Sequence, residues 1–324
     1  MKYSLKAFLD IEEQVNGLSQ KKGDEIKAKY RKFLNGSPVD FNRLYEDLEQ
    51  IESDPIREPY SFEGETLKEL IRVASELRDF GISIWPNFYT KEKVETLKEV
   101  VLRCLNASKK WVQQAPTSYT QEPDPDLGCE HWGHKKMPLS GRTRSFFRNT
   151  KRYSSQFSII NELMSDKRLM EVGRRLYSSH TFIVGTLMEE LLPANVADYW
   201  HIDGILDQYK AMIFLEDAGE DQGPMLFKPT SKRHLQDSLQ PMLHTAYAYG
   251  REWGSYPYYR TVDSLGIDTV KATGKAGDAV FFDTLHIHSG SICKAGSRLA
   301  VNSYLGVSSK KNQILRLLSG GNSL

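Results

Sequence analysis

Two short stretches carry residues whose types and spacing suit metal chemistry. His201-Ile202-Asp203 sets an imidazole and a carboxylate two positions apart. Residues i and i+2 of an extended strand share a face, so both can turn toward one ion. Alone, this spacing is weak evidence, because a surface histidine beside a solvated aspartate looks the same. The second stretch is the apolar run Ala279 to Ile287, which ends at His288, with Arg298 ten residues further on. Neighbouring antiparallel strands would bring a third ligand and a guanidinium to one place. Two histidines and a carboxylate, with other coordination positions open, form the facial triad of non-haem Fe(II) oxygenases. A guanidinium beside it has a planar fork suited to the distal carboxylate of 2-oxoglutarate. His286 shares a face with His288 in a regular strand and is the alternative ligand. Ser289-Gly290 and the spacing to Arg298 favour His288.

The elements around these residues fit such a site. From about residue 180 the chain is rich in short β runs: 182–188, 210–215, 269–272, 279–282 and 299–305. Turn chemistry separates them, as at Gly219 to Pro224 and Gly274 to Asp278. Many short strands with Gly/Pro turns predict a sandwich or barrel. The first third reads as helical over 4–34, 39–53 and 66–78, the last with Leu67, Leu70, Ile71, Ala74 and Leu77 on one stripe. Ile82 to Trp85 alternates like a half-buried strand. Thr90 then caps a helix whose apolar face holds Val94, Leu97, Val100 and Val101. The Pro- and Gly-containing stretch 115–140 reads as a long loop. The division is a helical extension over 1–78 and a β domain over 79–324.

Composition narrows the partners. The 324 residues are 40% hydrophobic and 26% charged, with a formal net charge of +1. That is a globular composition, and its balance gives no reason to expect nucleic acid or an anionic membrane. Three scattered cysteines argue against a disulfide framework and for a reducing compartment. The N-terminal stretch lacks a signal-peptide core and no apolar run reaches bilayer length, so the expectation is a cytoplasmic protein without a membrane partner.

Four motifs carry a family likeness. Phe80-Gly81-Ile82-Ser83-Ile84-Trp85-Pro86-Asn87-Phe88-Tyr89 forms an entry strand and turn. Trp200-His201-Ile202-Asp203-Gly204 forms a metal motif, and Gly223-Pro224 through Pro229-Thr230-Ser231 forms a turn. Gly277-Asp278 through His288-Ser289-Gly290 to Arg298 closes the set. Residues 79–307 thereby resemble the phytanoyl-CoA dioxygenase-like (PhyH) branch of the Fe(II)/2-oxoglutarate dioxygenases. The likeness implies a mainly β fold, a double-stranded β-helix (jelly-roll, cupin-like) core with helical additions. It implies Fe(II) on His201, Asp203 and His288, with 2-oxoglutarate and O2 as cosubstrates. Arg298 would hold the cosubstrate's distal carboxylate, and Thr186 loosely matches a position that touches it. The reaction would be hydroxylation of an unactivated C–H bond of a small-molecule metabolite, with release of succinate and CO2. Related halogenases lack the carboxylate that Asp203 provides here. The sequence departs from the family pattern at Thr230, where glycine is usual, and at Lys232, where histidine is common. The asparagine that often follows the second metal histidine is also missing; Ile292 and Cys293 occupy that region.

Other stretches have weaker claims. Residues 247–260 are unusually aromatic and lie between the metal motifs, which suggests a lid with Tyr249, Arg251, Trp253 and Arg260 against the substrate. A packed surface loop is the plainer reading. Lys135, Lys136, Arg142, Arg144, Arg148, Lys151 and Arg152 form a basic run, either an anion site or a set of structural ion pairs. His131 and His134 form a poor metal pair in their loop context. The alternatives in function are a protein-directed oxygenase, with residues 1–78 as a docking module, and a metal- or ligand-binding jelly roll without turnover.

Overall fold

A computed structural model describes residues 60–114, 120–133, 141–148, 157–194, 200–203, 207–234, 256–257, 266–309 and 312. The helices expected over 4–34 and 39–53 lie outside these residues, as do Tyr249, Arg251, Trp253, Arg260, His134, Lys135, Lys136, Lys151 and Arg152.

The described chain begins with helix α1 (Gly64–Phe80), which buries Leu70, Val73, Ala74 and Leu77. The buried stripe is turned slightly from the predicted one: Val73 faces inward while Ile71 is 51% exposed. Gly81 ends the helix in the left-handed conformation with φ of 80°, and its N–H donates to Leu77 O at 3.0 Å. Only glycine adopts this cap without strain. A Cβ here would also stand 2.2 Å from His286 Cγ. Gly81→Ala is therefore expected to cost at least about 1–3 kcal/mol in urea unfolding. A loss under ~0.5 kcal/mol would contradict this placement of Gly81.

After this cap the chain enters β1 (Ile82–Trp85) and then α2 (Lys91–Gln114). The Thr90 hydroxyl accepts from Lys93 N–H at 3.3 Å, as the capping pattern predicts. A hairpin of β2 (Thr120–Asp124) and β3 (Cys129–Gly133) occupies part of the stretch expected to be a loop. Pro123 misleads the sequence reading. It is tolerated because β2 is the outermost strand of its sheet, where a missing N–H breaks no ladder. Asp124 closes the turn by accepting from the N–H groups of Asp126 and Leu127, each at 3.0 Å. Next come β4 (Arg142–Arg148), α3 (Ser158–Met164) and α4 (Lys167–Tyr177).

The remaining strands are β5 (Thr181–Leu191), β6 (His201–Ile202), β7 (Gln208–Phe214), β8 (Met225–Phe227) and β9 (Tyr256–Pro257). They are followed by β10 (Val270–Ala272), β11 (Ala279–Asp283), β12 (His288–Gly290) and β13 (Arg298–Val307). They form two antiparallel sheets, ordered β1-β11-β7-β13-β5-β4-β3-β2 and β10-β8-β12-β6-β9. One face of the large sheet is covered by helices, where Leu97, Val101, Ile160 and Leu169 pack on Met188, Ile213 and Val301. Its other face meets the small sheet, with Met212, Phe214, Val280 and Phe282 against Phe227 and Ala272. Burying each such Leu, Met or Phe contributes about 1.5–3 kcal/mol. This is the predicted mainly β, double-stranded β-helix architecture. Coverage on both faces is why β11 and β13 read as apolar runs and not as alternation.

Candidate metal and cosubstrate site

The small sheet sets the two histidines opposite each other. β12 pairs with β6 so that His288 faces His201, and their ring centroids are 4.5 Å apart. Asp203 lies one residue beyond β6, fixed by its N–H donating to Thr284 O at 3.1 Å. Its carboxylate is 3.6 Å from His201 Nε2 and 3.5 Å from His288 Nε2. One ligand atom from each of the three residues lies within 4.8 Å of the others, a spacing that one metal ion can span. The donor set is the two-histidine, one-carboxylate combination suited to Fe(II).

The surroundings hold the ligands in the form that a metal requires. His288 Nδ1 lies 2.8 Å from His286 O, so it carries the proton and leaves the Nε2 lone pair toward Asp203. Burial lowers the His288 pKa against the pull of Asp203, favouring neutral imidazole. Burial opposes the charge on Asp203, but Lys210 and His288 outweigh it and hold the carboxyl well below its ordinary range. Lys210 Nζ, from β7, is 2.5 Å from Asp203 Oδ2. The turn before β12 is tied to the Gly-Pro segment, since Ser231 Oγ accepts from Ile287 N–H at 2.8 Å. Lys228 N–H donates to Ile287 O at 2.9 Å. Thr230 in this segment has φ of 61°, the backbone that the family's usual glycine favours.

His286 is placed elsewhere. Residues 284–287 form a turn, so the shared-face argument linking it to His288 does not apply. His286 is buried beneath Gly81, with Nδ1 3.9 Å from Asp283.

Arg298 opens β13 and is 1% exposed. Its NH2 donates to Glu189 Oε1 at 2.8 Å, and its NH1 donates to Gly223 O. Its Nε is buried without an acceptor among the described residues. Arg298 lines the same cavity of about 210 Å³ as His201, Asp203 and His288. Thr186, expected to touch the cosubstrate, is fully buried on β5. Its hydroxyl lies 3.3 Å from Ser303 Oγ, and the cavity takes its β5 lining from Leu187 and Glu189 instead. Side chains alternate between the faces of a strand, and Thr186 lies on the face opposite to those two.

Sequence reasoning missed Glu189 and Lys210. The signal available was a charged residue inside an otherwise apolar strand, which burial makes costly unless it is paired. Arg144 Nε donates to Glu189 Oε2 at 2.5 Å. Burial opposes ionisation of Glu189, but Arg144, Arg142 and Arg298 together hold its carboxyl far below the ordinary range. Between its unfolded and folded pKa values the unfolded chain takes up a proton that the native state refuses. The stabilisation is therefore complete above the unfolded pKa and is lost as pH falls through the folded one. Glu189→Gln is expected to reduce the acid-side slope of stability against pH by up to about 1.4 kcal/mol per unit. Urea unfolding at pH 5, 4 and 3 checks this, and an unchanged slope would contradict it.

Part of the basic run is structural. Arg148 Nε donates to Glu130 Oε1 at 2.7 Å, while Arg142 and Arg144 line the cavity. His131 does not await a metal: its Nε2 is 2.8 Å from Asp124 Oδ2 and its Nδ1 is 2.7 Å from Ser108 Oγ. This Ser–His–Asp chain resembles a hydrolytic triad. Ser108 has no exposure and also bonds Ser145, so no substrate carbonyl could reach it. Cys104 and Cys129 are buried free thiols.

Fold and ligand set together define a jelly roll with a two-histidine, one-carboxylate centre. Comparison with known proteins agrees. Residues 197–294 match the family model described as phytanoyl-CoA dioxygenase (PhyH). That span holds His201, Asp203 and His288, so the likeness seen in the sequence is borne out where the ligands lie; Arg298 falls just beyond it. No curated protein matches the chain by sequence. Among solved structures, the epimerase SnoN in complex with Fe3+, alpha ketoglutarate and nogalamycin RO has 13% identity and a TM-score of 0.51, over 75% of this chain and 85% of that one. The carbocyclase SnoK from nogalamycin biosynthesis has 14% identity and a TM-score of 0.51, over 77% and 87%. EctD from S. alaskensis with 2-oxoglutarate and 5-hydroxyectoine has 17% identity and a TM-score of 0.51, over 79% and 82%. At these identities the likeness is one of fold. Among the described residues no helix is long and apolar enough to cross a membrane.

Proposed function

We propose that this protein is an Fe(II)- and 2-oxoglutarate-dependent oxygenase that hydroxylates an unactivated C–H bond of a small-molecule metabolite, releasing succinate and CO2. The observation that carries the reading is the convergence of His201, Asp203 and His288 in one cavity with Arg298. The residues fit the group. Three neutral or anionic donors suit a hard-to-borderline divalent ion and leave positions for a chelating ligand and O2. Bound there, Fe(II) with 2-oxoglutarate supplies the oxidising chemistry for C–H cleavage.

The chain's own residues do the rest. His201 and His288 donate from Nε2, and Asp203 donates one oxygen while Lys210 holds its carboxylate in place. Arg298 binds the far carboxylate of the cosubstrate and uses the Nε donor that has no acceptor among the described residues. Glu189 keeps that guanidinium oriented. Phe282 and Met225 line the cavity and help exclude water. Hydroxylation is preferred to halogenation because Asp203 fills the position that halide takes in related halogenases. The small molecules in the SnoN and EctD structures, nogalamycin RO and 5-hydroxyectoine, support a substrate of that kind.

The test is release of labelled succinate from 2-oxoglutarate by the full chain with Fe(II), ascorbate and O2. Slow uncoupled turnover that is lost in Asp203→Ala supports the reading. Stoichiometric iron binding without cosubstrate binding or succinate would replace it with a metal-binding jelly roll.

A further inference from the structure

Strand β13 brings more to the cavity than Arg298. Residues two apart on a strand share a face, so Arg298, Ala300, Asn302 and Tyr304 turn to the same side. Arg298, Asn302 and Tyr304 line the cavity that holds the three candidate ligands. Every position of β13 is buried except Asn302, which is half-buried. Opposite it stand Leu187 on β5 and Met212 on β7, both apolar and both lining the same cavity. The Asn302 amide makes no hydrogen bond to a described residue. A polar group set between apolar neighbours is costly until something bonds to it.

The strand registers put this amide between the two ends of the site. Ala300 stands opposite Glu189, whose carboxylate holds the Arg298 guanidinium at 2.8 Å. Tyr304 stands opposite Lys210, whose Nζ is 4.3 Å from the Tyr304 ring centroid and 2.5 Å from Asp203 Oδ2. Asn302 is two residues from each of these levels, about 7 Å along the strand. A dicarboxylate held by Arg298 at one end and by the metal at the other must cross the level of Asn302. The amide offers N–H donors to a carbonyl or carboxylate oxygen and adds no charge of its own. It can therefore fix the angle of a bound anion that the charged groups have already drawn in.

We propose that Asn302 is a cosubstrate-binding residue. Its side-chain N–H donates to an oxygen of the keto-acid end of 2-oxoglutarate and sets how that end meets the metal. The role rests on the oxygenase reading and adds to it a contact on the floor of the site.

The test is an anaerobic visible-absorption titration of the full chain with Fe(II) and 2-oxoglutarate. It is run on wild type, Asn302→Leu and Asn302→Asp, with iron stoichiometry measured on the same samples. Asn302→Leu keeps the size and loses the donor. It should bind iron stoichiometrically, weaken 2-oxoglutarate about tenfold or more and shift the metal-to-ligand charge-transfer band. Asn302→Asp keeps the shape and guards against a folding failure of the leucine variant. It should weaken binding further, because it sets a carboxylate against an anion. An unchanged dissociation constant in both variants overturns the proposal and leaves the oxygenase reading standing. Weaker binding with an unmoved band also overturns it, because the bond then lies away from the keto acid. So does loss of iron in both variants, because Asn302 then supports the fold and not the cosubstrate. No band in wild type, with iron bound, removes the proposal and the oxygenase reading together.

Discussion

Asp203→Ala is expected to abolish stoichiometric iron binding and to reduce succinate formation by about 100-fold or more, the range or beyond of losses from supporting residues around metals. Asp203 is the single anionic donor among the three, so its removal leaves two neutral imidazoles facing a divalent ion. A second effect comes from Lys210. Its ammonium is buried and stands 2.5 Å from the Asp203 carboxylate. Truncating one partner of a buried ion pair strands the other, which typically costs about 3–5 kcal/mol. The variant should therefore unfold at lower urea even without metal. Asp203→Ala with Lys210→Met should regain much of the stability and none of the iron. Iron stoichiometry and urea unfolding measured on the same samples separate the two effects. Full iron occupancy in Asp203→Ala would remove it from the ligand set.

Arg298→Ala should raise the KM for 2-oxoglutarate by about 10- to 100-fold, the size expected for losing one or two charge-assisted hydrogen bonds. The loss should lie mainly in KM, because on the proposed reading Arg298 would grip the end of the cosubstrate remote from the metal. Stability should fall as well. The Glu189 carboxylate keeps Arg144 as a partner, so the cost belongs near the lower end of the buried-pair range, about 3 kcal/mol. Arg298→Lys should recover charge but not the planar fork, leaving KM raised. An unchanged KM in Arg298→Ala would place the cosubstrate's carboxylate elsewhere in the cavity, with Arg142 or Arg144 the next residues to substitute.

The ligands were legible because their spacing follows strand geometry. His201 and Asp203 are two apart, and His288 ends an apolar run that pairs back onto the small sheet. The helix around Leu70 and Leu77 and the cap at Thr90 were legible for the same reason, a period or a cap that local physics requires. What could not be read was set by distant partners. Strand periodicity alone leaves His286 and His288 equivalent; Ser289-Gly290 and the spacing to Arg298 favour His288, and the turn at 284–287 is the physical reason the two part. Thr186 and Glu189 are on one strand, but which face meets the cavity depends on the β4 and β13 registers. Pro123 hid a strand because its tolerance depends on being at the sheet edge. The basic run likewise divides by placement: Arg148 bonds Glu130, while Arg142 and Arg144 turn inward.

The central claim is that His201, Asp203 and His288 hold Fe(II) in reach of a 2-oxoglutarate anchored by Arg298. The most direct test is an anaerobic visible-absorption titration of metal-free protein with Fe(II) and 2-oxoglutarate, run on wild type, His288→Ala and His286→Ala. A metal-to-ligand charge-transfer band in wild type, kept in His286→Ala and lost in His288→Ala, is the predicted result. A band that survives in His288→Ala, or none in wild type with iron bound, would contradict the account.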